Sequence, residues 1–218
     1  MIQTTSEENY LKTIFHHTGI GNQSVTTNDI AATLGTKAAS VTEMLKKLAA
    51  QKLIRYKKYN GVTLTDSGKQ QALLIIRKHR LWEYFLVEKL KFSWDEIHEV
   101  AEQLEHIQSD ALVERLDSFL ENPKFDPHGD PIPDKKGIII NTDSQKLIDL
   151  SEKKEAIVNL VSDQPELLRH LSKIGISLGS KLKVLEKIPF DNSMLLQING
   201  KSKVQVSADI AKNIRVQI

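Results

Sequence analysis

Apolar residues in the first third of the chain recur at helical spacing. Tyr10, Leu11, Ile14 and Phe15 share one face of an expected first helix, with Ser6 as its cap and Gly19 and Gly21 as terminators. A short helix follows, capped by Thr27, carrying Ile30, Ala31 and Leu34, and closed by Gly35. A further helix, capped by Thr36, has Val41, Leu45 and Leu48 inside. Helix, glycine-containing turn and helix at this spacing predict a helix-turn-helix, whose second helix enters the DNA major groove. The period then shortens to two: Leu53 to Tyr59 and Val62 to Thr65 flank Asn60-Gly61, a strong hairpin signal, and a basic hairpin after the helices makes a winged helix.

Thr65 or Asp66 opens a long helix to about Lys89, with Leu73, Leu74, Ile76, Leu81, Phe85 and Leu86 for packing. Ser93 and Glu96 form a capping box, which predicts a helix from Trp94. Ser109 starts another, with Leu112, Val113, Leu116, Phe119 and Leu120 along one side; so short a segment cannot bury that stripe alone, which points to pairing with a second copy. Residues 122–136 hold four of the six prolines and read as an irregular boundary. Beyond a β-like Ile138 to Ile140, short alternating runs at Lys183 to Leu185, Met194 to Ile198, Lys203 to Val206 and Ile214 to Val216, an Asn199-Gly200 turn and a helix from Pro165 to Lys173 suggest a small barrel. The fold expected is mainly α with small β: a winged helix-turn-helix domain over 1–75, a helical domain over 76–140 and a β domain over 141–218.

Composition narrows the chemistry. The 218 residues are 40% hydrophobic and 27% charged, ordinary for a soluble protein. With no cysteine, disulfides, thiolate zinc sites and iron–sulfur clusters are excluded, and any metal ligand is nitrogen or oxygen. No secretory start and no membrane-length apolar run is present, so a cytoplasmic protein with no membrane partner is expected. The net charge of +2 hides a division: nine Lys/Arg against five Asp/Glu in 1–75, nine against fourteen in 76–140, and twelve against nine in 141–218. Small Ala38, Ala39 and Ser40 let the second reading helix approach base edges, while Lys37, Lys46, Lys47, Lys57 and Lys58 suit phosphates. An ordinary helical hairpin is the plainer reading of the helix pair.

The stretch from His79 to His106 concentrates imidazoles and carboxylates. His79/Glu83, His98/Glu102 and Glu102/His106 are same-face pairs. On a helical wheel Ile97, Val100, Ala101, Leu104 and Ile107 fall within roughly 80° of one direction, with His98, Glu102, Glu105 and His106 in a separate stripe beside them. Such a stripe suits Mn²⁺, Fe²⁺, Co²⁺ or Zn²⁺; a solvated acidic face is the plainer alternative. A metal-dependent hydrolase would need an open ligand position, a general base and a cleft, and the H-E-x-x-H signature is absent. A metal-independent architectural DNA-binding protein is the other rival.

Arg77-Lys78-His79-Arg80-Leu81, the Ile97-His98 to Glu105-His106-Ile107 stripe, Ser109-Asp110 and Asp126-Pro127-His128-Gly129-Asp130-Pro131-Ile132-Pro133 resemble the diphtheria toxin repressor and manganese transport regulator family along essentially the whole chain. The resemblance implies a homodimeric, non-enzymatic repressor of metal-homeostasis genes with no small organic substrate. Its implied corepressor is Mn²⁺, with Fe²⁺ as the alternative and Co²⁺ or Zn²⁺ able to substitute. It further implies a palindromic double-stranded operator and an SH3-like, FeoA-like third domain. One implied ligand set is Asn9, Glu102, Glu105 and His106; another is His79, Glu83 and His98, with Asp163, Gln164 and Glu166 as nearby third-domain candidates. Glu102 is like the manganese-sensing branch and His98 like the iron branch, whereas Asn9 departs from both and Lys12 stands where some manganese sensors are acidic. Implied base contacts fall on Lys37, Ala39, Ser40 and Glu43, with Thr27 and Lys46 as further DNA contacts. The mechanism expected is that a cation relieves repulsion among crowded carboxylates and imidazoles, draws the first helix in through Asn9, and so sets the spacing of two reading helices.

Overall fold

The structure, a computed structural model, describes residues 3–19, 23–57 and 61–218. Two compact units interleave along the chain: Met1–Trp82 with Glu102–Asn122 and Ile132–Ile139, and Glu83–Ala101 with Pro123–Pro131 and Ile140–Ile218.

In the first unit, helix α1 (Thr5–Thr18) is capped by Thr4 rather than Ser6. Thr4 accepts from the Glu7 amide, and the Glu7 carboxylate accepts from the Thr4 amide at 2.8 Å, so two orphan donors are satisfied where Ser6 offers no such exchange. The same reciprocity with Asp29 makes Thr26, not Thr27, the cap of α2 (Thr27–Thr33). Helix α3 (Ala38–Ala50) starts after Lys37 without a side-chain cap, so Thr36 does not serve. Gly35 turns the chain between α2 and α3 at φ +59.

Strands β1 (Ile54–Lys57) and β2 (Gly61–Leu64) pair antiparallel, Ile54 opposite Leu64 and Lys57 opposite Gly61, and Val25 bridges to Val62. Gly21, Lys58, Tyr59 and Asn60 lie outside the described residues. Helix α4 (Asp66–Glu88) is capped by Thr65, whose hydroxyl accepts from the Gly68 amide at 3.1 Å. One core joins α1 to the start of α4 through Leu11, Ile14, Ile30, Leu45, Leu48 and Ile76.

The Ser93–Glu96 capping contacts form as expected, yet the helix they announce, α5 (His98–Leu104), begins at His98 after a turn. Glu105 and His106 therefore sit in the turn beyond α5, and the single long stripe expected of that helix is broken. Ser109 caps α6 (Asp110–Phe119). Its apolar stripe divides: Val113, Leu116 and Leu120 are buried, while Leu112 and Phe119 are 38% and 61% exposed.

The second unit is built on an antiparallel sheet ordered β3-β8-β4-β5-β6-β7. Its strands are β3 (Gln145–Lys146), β4 (Glu155–Val161), β5 (Lys181–Lys187), β6 (Met194–Ile198), β7 (Ser202–Val206) and β8 (Ile214–Gln217). Helix α7 (Pro165–Ile174) opens on proline and closes on left-handed Gly175, and short α8 (Ala208–Lys212) precedes β8. Ile138 to Ile140 forms no strand, and β4 was not among the strands expected. Its inward residues are Ala156, Val158 and Val161, because a bulge between Val158 and Leu160 shifts the alternation by one.

Candidate metal centre

The β4 bulge seats a loop. Val161 donates its amide to the His128 carbonyl at 2.9 Å, and Gly129 lies so close that a Cβ would stand 2.0 Å from the Asn159 carbonyl oxygen. Within the loop Asp126 Oδ1 accepts from the amides of His128 and Asp130 at 2.8 and 3.0 Å, which fixes the turn and aims both side chains. Ligand atoms of Glu83, Asp126 and His128, all three buried, lie within 4.8 Å of one another. His98 Nδ1 stands 3.8 Å from Glu83 Oε1 and 3.7 Å from Asp163 Oδ2 at the exposed edge of the same group.

The tautomer of His128 decides what this group can do. Nε2 is 2.8 Å from the Trp94 carbonyl, which has no hydrogen to give, so Nε2 carries the proton. In the neutral ring Nδ1 then turns a lone pair towards Glu83 Oε1, 4.0 Å away, with both side chains almost fully buried. Two electron-rich atoms facing each other beyond hydrogen-bond range form a cradle for a cation, and the Trp94 carbonyl supplies the outer contact that metal-binding histidines use.

A different cluster lies in the first unit. His79, Glu102 and Glu105 also present ligand atoms within 4.8 Å of one another, and His79 Nδ1 meets Glu105 Oε2 at 2.6 Å. His106 Nδ1 meets Glu8 Oε2 at 2.5 Å, and Glu8 also accepts from Gln108 at 2.7 Å and pairs with Lys78 at 3.4 Å. Lys12 Nζ donates to both oxygens of Glu105, at 2.6 and 2.8 Å, and to Glu102. The expectation of mutually repelling groups is thus corrected: an ammonium already bridges the two carboxylates. Helix α1 reaches this cluster through Glu8 and Lys12. Asn9 lines a cavity of about 680 Å³ with Tyr10, Ser40 and Met44, and its Oδ1 is buried without a hydrogen-bond partner.

Comparison with known proteins covers the chain in three parts. Residues 3–62 match the iron dependent repressor N-terminal DNA binding domain, 65–134 the iron dependent repressor metal binding and dimerisation domain, and 145–218 the FeoA domain. An HTH-type transcriptional regulator of Methanocaldococcus jannaschii is 38% identical over 119 residues, spanning 55% of this chain and 95% of that protein. The chain belongs to the iron-dependent repressor family. The repressor IdeR of Mycobacterium leprae (strain TN) is 27% identical over 230 residues, covering 100% of this chain and 98% of its own. A solved manganese-dependent transcriptional repressor in complex with manganese is 38% identical, covers 96% of this chain and 98% of its own, and superposes with a TM-score of 0.88.

This repressor is therefore a metal-dependent DNA-binding protein and not an enzyme, with a helix-turn-helix domain, a helical dimerisation domain and an SH3-like C-terminal domain. The hydrolase and architectural rivals gain no support. No helix among the described residues is long and apolar enough to cross a membrane. On the reading side Lys37, Ala39, Ser40 and Glu43 are exposed along the front of α3, and Lys57 is exposed at the end of β1. Glu43 is paired with Lys46 at 2.8 Å and, by that hydrogen bond, holds the Lys46 ammonium above the usual lysine range. Thr27, half-buried at the first position of α2, has its capping task taken by Thr26. Sequence reasoning missed Glu8, Asp126 and His128 as members of the clusters. The Asp-Pro-His-Gly run was visible, but it lay within a proline-rich segment that reads as a linker.

Proposed function

We propose that this repressor is a homodimer that senses Mn²⁺ in the cytoplasm and represses metal-homeostasis genes from a palindromic operator. The observation that carries the reading is the buried face-to-face pair of His128 Nδ1 and Glu83 Oε1 at 4.0 Å. Glu83, Asp126 and His128 would hold the ion, with His98 and Asp163 at the edge of the group. All five donors are nitrogen or oxygen, a set that suits Mn²⁺ and Fe²⁺ alike; likeness to a manganese complex at a TM-score of 0.88 favours manganese. The likeness to IdeR keeps Fe²⁺ as the second reading.

Asn9, His79, Glu102, Glu105 and His106 form the further ligand set of the proposal. A bound ion would supply these groups with the positive charge that Lys12 otherwise gives Glu102 and Glu105. The chain's own residues do the coupling: Glu8 and Lys12 on α1 contact Glu102, Glu105 and His106, and α1 packs directly against the core of the reading domain. Holding α1 therefore holds α3. On DNA, Lys37 and Lys57 meet phosphates while Ala39 and Ser40 allow close approach to bases.

The test is binding of a duplex selected from a random pool, measured by fluorescence anisotropy after EDTA treatment and again after anaerobic addition of Mn²⁺ or Fe²⁺. Affinity is expected to rise with Mn²⁺. Equal affinity of the stripped and the Mn²⁺-loaded protein would sink the proposal.

A further inference from the structure

The cluster in the first unit already contains a cation. Lys12 Nζ is 2.6 and 2.8 Å from the two oxygens of Glu105 and also bonds Glu102. An ammonium has three hydrogens, and all three have a carboxylate oxygen to meet. The Glu105 side chain is wholly buried and that of Lys12 is 11% exposed, so neither is bathed in water that could take the other's place. A divalent ion that uses Glu102 and Glu105 competes for these same oxygens and is repelled at short range by the positive charge already there.

We propose that Lys12 is a tethered cation that docks α1 onto the Glu102–His106 segment without metal and must be displaced before a divalent ion can use Glu102 and Glu105. The proposal rests on the reading of those two carboxylates as ligands, while the docking of α1 stands apart from it. Displacement is an exchange of one cation for another, because a wholly buried Glu105 with neither partner would keep only the His79 imidazole against its charge. The ammonium costs the first-unit cluster part of its affinity for a divalent ion, so that cluster responds only at a higher metal concentration than it would without the lysine. Lys12 thereby sets the threshold at which metal acts on the helix that supports the reading domain.

Lys12→Met removes the charge and keeps most of the stem; Lys12→Arg keeps the charge. In metal-free protein, amide hydrogen exchange along α1 is expected to accelerate by about tenfold or more in Lys12→Met, a 1.4 kcal/mol change per decade, and to stay near wild type in Lys12→Arg. Mn²⁺ titration followed by the EPR signal of the free ion is expected to give a tight and a weak class in the wild type. The weak class should tighten by about tenfold or more in Lys12→Met, with the tight class unchanged and α1 exchange slowed again by Mn²⁺. Wild-type exchange in metal-free Lys12→Met overturns the docking; an unchanged or absent weak class in that variant overturns the competition. Should Lys12→Met fail to fold without metal, Lys12→Met/Glu105→Gln removes the buried carboxylate charge along with the tie, and wild-type α1 exchange there overturns the docking. Failure of the manganese reading itself shows separately, as loss of the tight class from every protein including the wild type.

Discussion

A histidine ring serves as a ligand when one nitrogen is pinned and the other is left with its lone pair directed inward, and His128 meets both conditions through the Trp94 carbonyl at 2.8 Å. Changing His128→Gln should weaken the tight class of Mn²⁺ binding by at least about 10–100-fold, the range known for lesser changes in the outer contacts of metal sites. Equilibrium dialysis measures it, and unaltered binding would remove His128 from the site. Glu102→Ala, by contrast, should leave that class intact. His79, Glu83, His98, Glu102, Glu105 and His106 were legible as candidates because helical spacing gathers them on shared faces. Glu8 was not, since a glutamate in the first turn of a helix is ordinary for the helix dipole. Only the fold brings the His106 ring to within 2.5 Å of it.

Elements show the same division between local and long-range causes. The helix-turn-helix, the presence of a hairpin after it, the long α4 and the cap of α6 were legible, since periodicity and turn chemistry are written within a few residues. The hairpin register was not, because an Asn60-Gly61 turn sets Val62 opposite Tyr59 and the structure pairs it with Tyr56, with Gly61 already in the strand opposite Lys57. Strand β4 was hidden, because its bulge moves the buried side from Ala156 and Val158 to Val161 and breaks the alternation that announces a strand. That irregularity is what receives the Asp126–Asp130 loop. Gly129→Ala should therefore act on metal as well as on stability: φ is +93 and the new Cβ would lie 2.0 Å from the Asn159 carbonyl. A cost of about 1–3 kcal/mol is expected from backbone strain, read as a lower urea midpoint, together with weaker Mn²⁺ binding as Asp126 and His128 shift. A variant that melts earlier but binds Mn²⁺ normally would show that the loop does not aim those ligands. At the start of the same strand Glu155 is held below its ordinary value of 4.5 chiefly by the hydrogen bond from Lys181, with Lys183 adding to it. A lowered carboxyl stabilises the fold above the unfolded value and loses that contribution as pH falls through the folded one. The urea midpoint of the wild type should exceed that of Glu155→Gln at about pH 6 and converge with it at about pH 3; a constant gap would mean the ion pair is not its source.

At the scale of the whole molecule the question is how metal and DNA communicate through one chain. Glu8 and Lys12 lie one turn apart on α1 and both meet the segment that carries Glu102, Glu105 and His106. The same helix also puts Leu11, Ile14 and Phe15 into the core that supports α3. A helix shared in this way has one position, and whatever favours that position at the cluster favours it at the reading helix. Linkage then runs in both directions, so DNA must tighten the coupled metal class by the same factor by which that metal tightens DNA, typically about 5–150-fold. The dimer adds a geometric condition, because two copies of α3 have to meet one duplex with their half-sites about 34–36 Å or a multiple apart. Both conditions can be read from one experiment: titrating Mn²⁺ into the protein with and without duplexes whose palindromic half-sites are separated by varied spacers. The metal class that responds to DNA should be the weak one, and only for spacers that restore a full helical turn. A factor that is the same for every spacer would mean that metal acts within each subunit alone, and an equal response of the tight class would move the coupling from α1 to the Glu83 group.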